Sequence, residues 1–137
     1  NSNDFIVYKE FKYSKMRGVM IMQYTLLFYE TKEDVARRAE HAQLGEFMAS
    51  WGHYVKALME AGVVVSGSQL SPPETTTVLR RQGSELLVQD GPITDTKEQL
   101  AGFFVIEAPD LDTALKWAER SPSNAVEVRQ NLPRIDQ

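Results

Sequence analysis

The spacing of apolar and polar positions divides the chain into elements. From Phe5 to Tyr13 the pattern alternates, with Phe5, Val7, Phe11 and Tyr13 on one side and Tyr8, Glu10 and Lys12 on the other, which predicts a strand. Gln23-Tyr24-Thr25-Leu26-Leu27-Phe28-Tyr29 is β-branched and aromatic on both faces, the mark of a buried central strand. Glu30-Thr31-Lys32 ends it, with Thr31 as an N-cap and Asp34 near the capping-box position of a charged helical stretch, Glu33 to Glu40. A long helix is expected from Gln43 to Ala61. Leu44, Phe47, Met48, Trp51, Tyr54, Val55 and Leu58 recur at three- and four-residue steps, while Glu46, Ser50, His53, Lys56 and Glu60 fall largely opposite. Gly62 supplies the left-handed stop.

A strand, Val63 to Gly67, follows at once and breaks at Ser71-Pro72-Pro73. Thr75 to Arg80 and Glu85 to Gln89 flank Arg81-Gln82-Gly83-Ser84, a hairpin with glycine in its turn. Gly102 to Glu107 is a further central strand. Asp110 caps a second helix with Leu111, Ala114, Leu115, Ala118 and Trp117 on its buried face, Ser121-Pro122 stops that helix, and Ala125 to Arg129 alternates as a last strand. With the hairpin set aside, the order is β-α-β-β-α-β. This is the ferredoxin-like split arrangement of the α+β class, an antiparallel sheet with helices on one face. Two helices cover only one side of a sheet whose strands are apolar on both, so the other side is expected to meet a second subunit in a homodimer. The expected organisation is an N-terminal arm or extension over residues 1–21 and one domain over 22–137. The arm is expected to add a strand or to pack on a neighbouring subunit.

Composition narrows the function classes. At 42% hydrophobic and 25% charged residues, the 137-residue chain has the balance of one globular domain. A net charge of -4 gives no global attraction to nucleic acid or anionic lipid. The absence of cysteine excludes disulfides and thiolate chemistry and fits a cytoplasmic setting. No apolar run approaches a membrane span. The two histidines, His41 and His53, do not sit at ligand spacing, so no metal site and no cofactor is expected. Serine-nucleophile, phosphate-loop and dinucleotide motifs are missing.

The chemistry is concentrated between the hairpin and the strand that begins at Gly102. Asp90 stands at a strand end before Gly91-Pro92, where a carboxylate facing a cleft serves as a general acid or base; the plainer role is capping the turn. Asp95 is expected to N-cap a short turn through Gln99. Lys97 is placed to hold an anionic group, with an exposed ion pair to Glu98 as the plainer reading. His53 is the histidine that would assist Asp90, although on a polar helix face it is more often simply solvated. Trp51, Tyr54, Phe103 and Phe104 would wall an apolar pocket, with Ser66 and Ser68 as hydrogen-bond donors.

Several of these segments occur together in a known order. Tyr24 to Tyr29, Ala61-Gly62-Val63-Val64-Val65-Ser66-Gly67, Leu70-Ser71-Pro72-Pro73, Asp90-Gly91-Pro92-Ile93, Thr96 to Phe103 and Asp110 to Ala118 together closely resemble the YCII-related proteins, in particular the DGPF-domain subgroup. The resemblance runs from Met22 to about Arg129. It implies a dimeric ferredoxin-like α+β fold, a dimeric α/β barrel-like assembly similar to muconolactone isomerase, and a small-molecule enzyme working in a cleft between sheet and loops. Ile93 stands where the subgroup motif has phenylalanine, and Trp51 stands where founding members carry a helix histidine paired with an aspartate.

Two readings of function follow. The first is cofactor-independent isomerisation or elimination on a small aromatic or lactone-like molecule. In it Asp90 and His53 are catalytic, and Trp51, Tyr54, Ser66, Ile93, Lys97 and Phe103 bind the substrate. The second, also suggested by the resemblance, is a non-catalytic ligand-binding or regulatory dimer associated with an extracytoplasmic-function sigma factor.

Overall fold

A computed structural model describes residues 3–8, 11–16, 19–39 and 41–133, with side chains described at 20–36 and 45–133. The elements in order are β1 (Asn3–Tyr8), β2 (Phe11–Met16), β3 (Val19–Thr31), α1 (Lys32–Ala39), α2 (His41–Ala61), β4 (Val64–Gln69), a 3-10 turn at Pro73–Thr75, β5 (Thr77–Gln82), β6 (Glu85–Asp90), β7 (Glu98–Ala108), α3 (Leu111–Glu119) and β8 (Ala125–Gln130). Strands β4, β7, β3 and β8 lie side by side in that order, every neighbour antiparallel. With α1 and α2 between β3 and β4, and α3 between β7 and β8, this is the ferredoxin-like α+β arrangement.

The side chains that face the helices explain why β3 is central. Tyr24, Leu26 and Phe28 alternate onto one face and meet Ile106 and Ala108 of β7, Tyr54 and Leu58 of α2, and Ala114 and Ala118 of α3. Leu26, Leu58 and Ile106 are fully buried, and each stabilises the fold by roughly 1.5–3 kcal/mol relative to an exposed position. The register pairs Thr25 with Val105 and Leu27 with Phe103 on the opposite face. Those four are half-buried and stand apart from the core cluster that α2 and α3 share with the sheet.

Two local devices set the start of the helical layer. Thr31 N donates to Asp34 Oδ2 (2.9 Å) while Asp34 N donates to Thr31 Oγ1 (3.2 Å), a reciprocal capping box at α1. At α3, Asp110 Oδ1 accepts from Thr113 N at 2.8 Å. Gly62, at φ 70°, ends α2 as its sequence position implies.

Three sequence expectations are corrected. The N-terminal strand expected over Phe5–Tyr13 is two strands, β1 and β2, paired antiparallel from Asn3↔Met16 to Tyr8↔Phe11. Apolar residues return in the same alternate register on both sides of Lys9-Glu10, and that shared period hid the reversal. In addition, β2 pairs with the start of β3, which therefore begins at Val19 and not near Gln23. Asp95 caps no helical turn: it is exposed, 3.9 Å from Lys32 Nζ. The segment is instead closed by Gln99 Nε2 donating to the carbonyls of Thr94 (2.9 Å) and Thr96 (3.0 Å). No helical turn forms between Asp95 and the start of β7, so there is no helix start for Asp95 to cap. No described helix is long and apolar enough to cross a membrane.

Candidate functional site

A cavity of about 690 Å³ opens where the N-terminal half of α2 passes over the ends of β3, β4 and β7. Its apolar walls are Phe28, Phe47, Trp51, Val55 and Phe104; Phe103 borders it from β7, although its position alternates to the opposite face of the sheet. The rings brace one another edge to face. Phe28 and Trp51 have centroids 5.2 Å apart at 88°, and Phe28 and Phe104 6.1 Å apart at 83°, geometries that use the positive ring edge against the negative face. Phe47, Trp51 and Val55 share the cavity because they lie four residues apart on one helical stripe.

Two irregularities make the space. In the β3–β7 ladder the register shifts between Phe28 and Tyr29, so that Phe28 faces Gly102 and Tyr29 faces Leu100, with Ala101 as the extra residue. The bulge lets Tyr29, Glu30 and Ala101 all contribute to the wall. Two glycines bring the backbones together there. A Cβ on Gly67 would lie 2.2 Å from the Phe104 ring, and one on Gly102 2.8 Å from the Ser68 carbonyl. The α3–β8 connection closes one side through Ser123, whose Oγ donates to the Tyr29 carbonyl at 3.0 Å.

Polar side chains from β3, α1, α2, β4 and the α3–β8 connection complete the lining. Among the described residues, Glu30 is the one with a carboxylate that is both buried (8% exposed) and part of the cavity wall. Asp34, half-buried, and Glu46, Ser68, Gln69 and Asn124, all exposed, also line it. Among the described residues, no three His, Cys, Asp or Glu side chains converge to hold a metal ion.

The sequence-derived site residues divide. Trp51 and Phe103 line this cavity. Tyr54 is buried beneath it and is not part of the wall; its hydroxyl donates to the Trp117 carbonyl at 2.9 Å. Burial pushes the Tyr54 phenol far above its usual range, with Arg120 opposing more weakly. His53 is exposed on the far side of α2 and Ser66 is exposed on β4. His41 has its side chain outside the described residues. Lys97 is exposed, in a shallow depression with Tyr29, Thr96 and Glu127. Ile93 is 61% exposed. Asp90 is exposed at the end of β6 opposite Thr77 and does not reach the cavity, because the β5–β6 hairpin forms a separate two-stranded sheet.

Sequence reasoning missed Glu30, Phe47 and Ser123. A signal for Glu30 was present. Carrying the buried alternation Tyr24, Leu26, Phe28 one step further places Glu30 on the same face, although the glutamate reads as the polar end of a strand. Ser123 follows a helix stop and has no pattern of its own.

Comparison with known proteins agrees with the architecture. The profile of the YCII-related domain matches residues 22–132. An uncharacterised protein of Rhizobium meliloti (strain 1021), R00369, is 43% identical over 67 residues, which is 49% of this chain and 53% of that protein. The chain thus spans about half the length of the curated relative it matches.

Proposed function

The chain belongs to the YCII-related domain family, and from that premise we propose that it is a small-molecule enzyme of the DGPF-domain subgroup whose site is the aromatic cavity beside α2. The proposed chemistry is cofactor-independent proton transfer, as in isomerisation or elimination, on a small aromatic or lactone-like substrate. One observation carries this reading: a buried carboxylate, Glu30, shares a cavity of about 690 Å³ with Phe28, Trp51 and Phe104. That volume falls within the range of small-ligand pockets, and apolar walls with a few polar groups are what such pockets present.

In this reading the aromatic rings hold a flat substrate by stacking and edge contacts. Glu30 accepts a proton from an activated carbon and returns it at a neighbouring position, while Ser68 and Gln69 orient the polar end of the substrate. The acid–base role thus goes to Glu30. Asp90 and His53 lie too exposed and too far around the fold to share it. The working unit we propose is a homodimer joined through the uncovered sheet face.

Proton abstraction from carbon can be tested without knowing the product. In D2O, the protein should accelerate deuterium incorporation into at least one member of a panel of enolisable aryl ketones and unsaturated lactones, followed by NMR. Glu30→Gln should lower that rate by about 10²–10⁴-fold, the usual contribution of a positioned base, and Asp90→Asn should leave it unchanged. A panel that neither exchanges nor shifts the melting temperature, or full activity in Glu30→Gln, would sink the proposal.

A further inference from the structure

The β5–β6 hairpin presents a second surface, separate from the cavity and from the uncovered face of the main sheet. The register pairs Thr77 with Asp90, Leu79 with Val88 and Arg81 with Leu86, and directly opposed residues share a face. Val78, on the other face, is buried, so the face of Leu79 turns outward. Leu79 and Leu86 are each 55% exposed and Val88 is 69% exposed. Three large aliphatic side chains therefore form a contiguous apolar centre in water, with an acid, Asp90, at one end and a base, Arg81, at the other. The two charges stand four residues apart along the hairpin, about 13 Å. Neither has an ion-pair partner among the described residues.

This arrangement is self-complementary. When two such faces pack about a two-fold axis running across the strands, strand direction reverses. The Arg81 end of one copy then lies over the Asp90 end of the other, and the apolar centres meet between them. The lateral offset from Arg81 to the opposing Asp90 is one strand spacing, about 4.8 Å, well within the reach of an arginine side chain. Each two-fold contact makes the ion pair twice. We propose that the outward face of the β5–β6 hairpin is an isologous interface between two copies of this chain, held by Leu79, Leu86 and Val88 and registered by reciprocal Arg81–Asp90 pairs. Asp90 then serves assembly, and its exposure is what that role needs.

Charge reversal tests the two-fold logic directly. Arg81→Asp places two acids on the face, and Asp90→Arg places two bases. Each variant alone should associate at least about tenfold more weakly than the wild type, because every two-fold contact becomes repulsive twice over. The weighted mass from sedimentation equilibrium should fall by one assembly step in both. An equimolar mixture of the two variants should recover the wild-type mass, since acids on one copy then face bases on the other. The double variant should recover it as well. Far-UV circular dichroism and the melting temperature confirm folding in each sample. Wild-type mass in both single variants, or no recovery in the mixture of folded variants, would overturn the interface. The cavity exchange assay does not depend on these residues, so its outcome and this one are separable.

Discussion

At the residue scale, the cavity depends on two positions where hydrogen is the side chain. Gly67 has no room for a methyl group, with the Phe104 ring at 2.2 Å and the Phe103 carbonyl at 2.9 Å from a built Cβ. Gly67→Ala should cost about 1–3 kcal/mol by overpacking, read as a lower urea midpoint, and should displace the Phe104 ring that walls the site. Tyr54 carries a different kind of constraint. Removing its hydroxyl strands the Trp117 carbonyl it bonds at 2.9 Å, so Tyr54→Phe should lose about 1 kcal/mol. Its pH behaviour has a definite sign. The phenol is held protonated in the fold by burial, above the ordinary value of 10.0. The unfolded chain therefore releases its proton first, and the contribution is fully present below pH 10.0 and falls as pH rises past it. Stability in Tyr54→Phe should decline less steeply above that pH, as measured by denaturant titration. Part of the aromatic wall was legible in the sequence, as Trp51 and Phe104, whereas Phe47 on the same helical stripe as Trp51 read only as core. Glu30 was not: it continues the buried alternation of Tyr24, Leu26 and Phe28, but a single glutamate at a strand end reads as solvated.

At the element scale, what the sequence revealed was what local interactions decide. The Thr31–Asp34 box and the Asp110 cap are each complete within four residues, so their residue types alone disclose them. The N-terminal reversal between β1 and β2 and the bulge in the β3–β7 ladder depend on pairing with distant chain, and their sequences carry no mark of it. Asp110 makes the α3 start acid-sensitive. Its bonds from the Thr113 amide and hydroxyl hold the carboxyl below its ordinary 3.8. The stabilisation is therefore present above that value and lost as pH falls through the lower folded value. Asp110→Ala should lower the melting temperature at neutral pH and flatten the acid limb of the stability curve. Asp110→Asn, which can still accept from the Thr113 amide, should lower it less.

At the scale of the whole molecule, the sheet has two unequal faces. One is sealed by α2 and α3. The other carries Thr25, Leu27, Phe103 and Val105 half-buried, with Glu107 on the same face. If that face joins two subunits, Leu27→Arg should reduce the solution mass by one assembly step while leaving the circular dichroism spectrum unchanged, and light scattering after gel filtration would decide it. The β-α-β-β-α-β order was readable because each element has its own period, whereas the site was not, since loops and edges from distant parts of the chain build it. Strand β3 shows how far that distance extends. It pairs with β2 at its start and is then flanked by β7 on one edge and by β8, which pairs Tyr24 with Gln130, on the other. On the ribosome, this edge of β3, complete at Thr31, stays without its β8 partner until Ala125–Gln130 has emerged. Throughout that interval the nascent chain exposes a long, apolar, hydrogen-bonding margin, so chaperone engagement should be strongest on chains stalled before residue 125 and should fall sharply once β8 clears the exit tunnel.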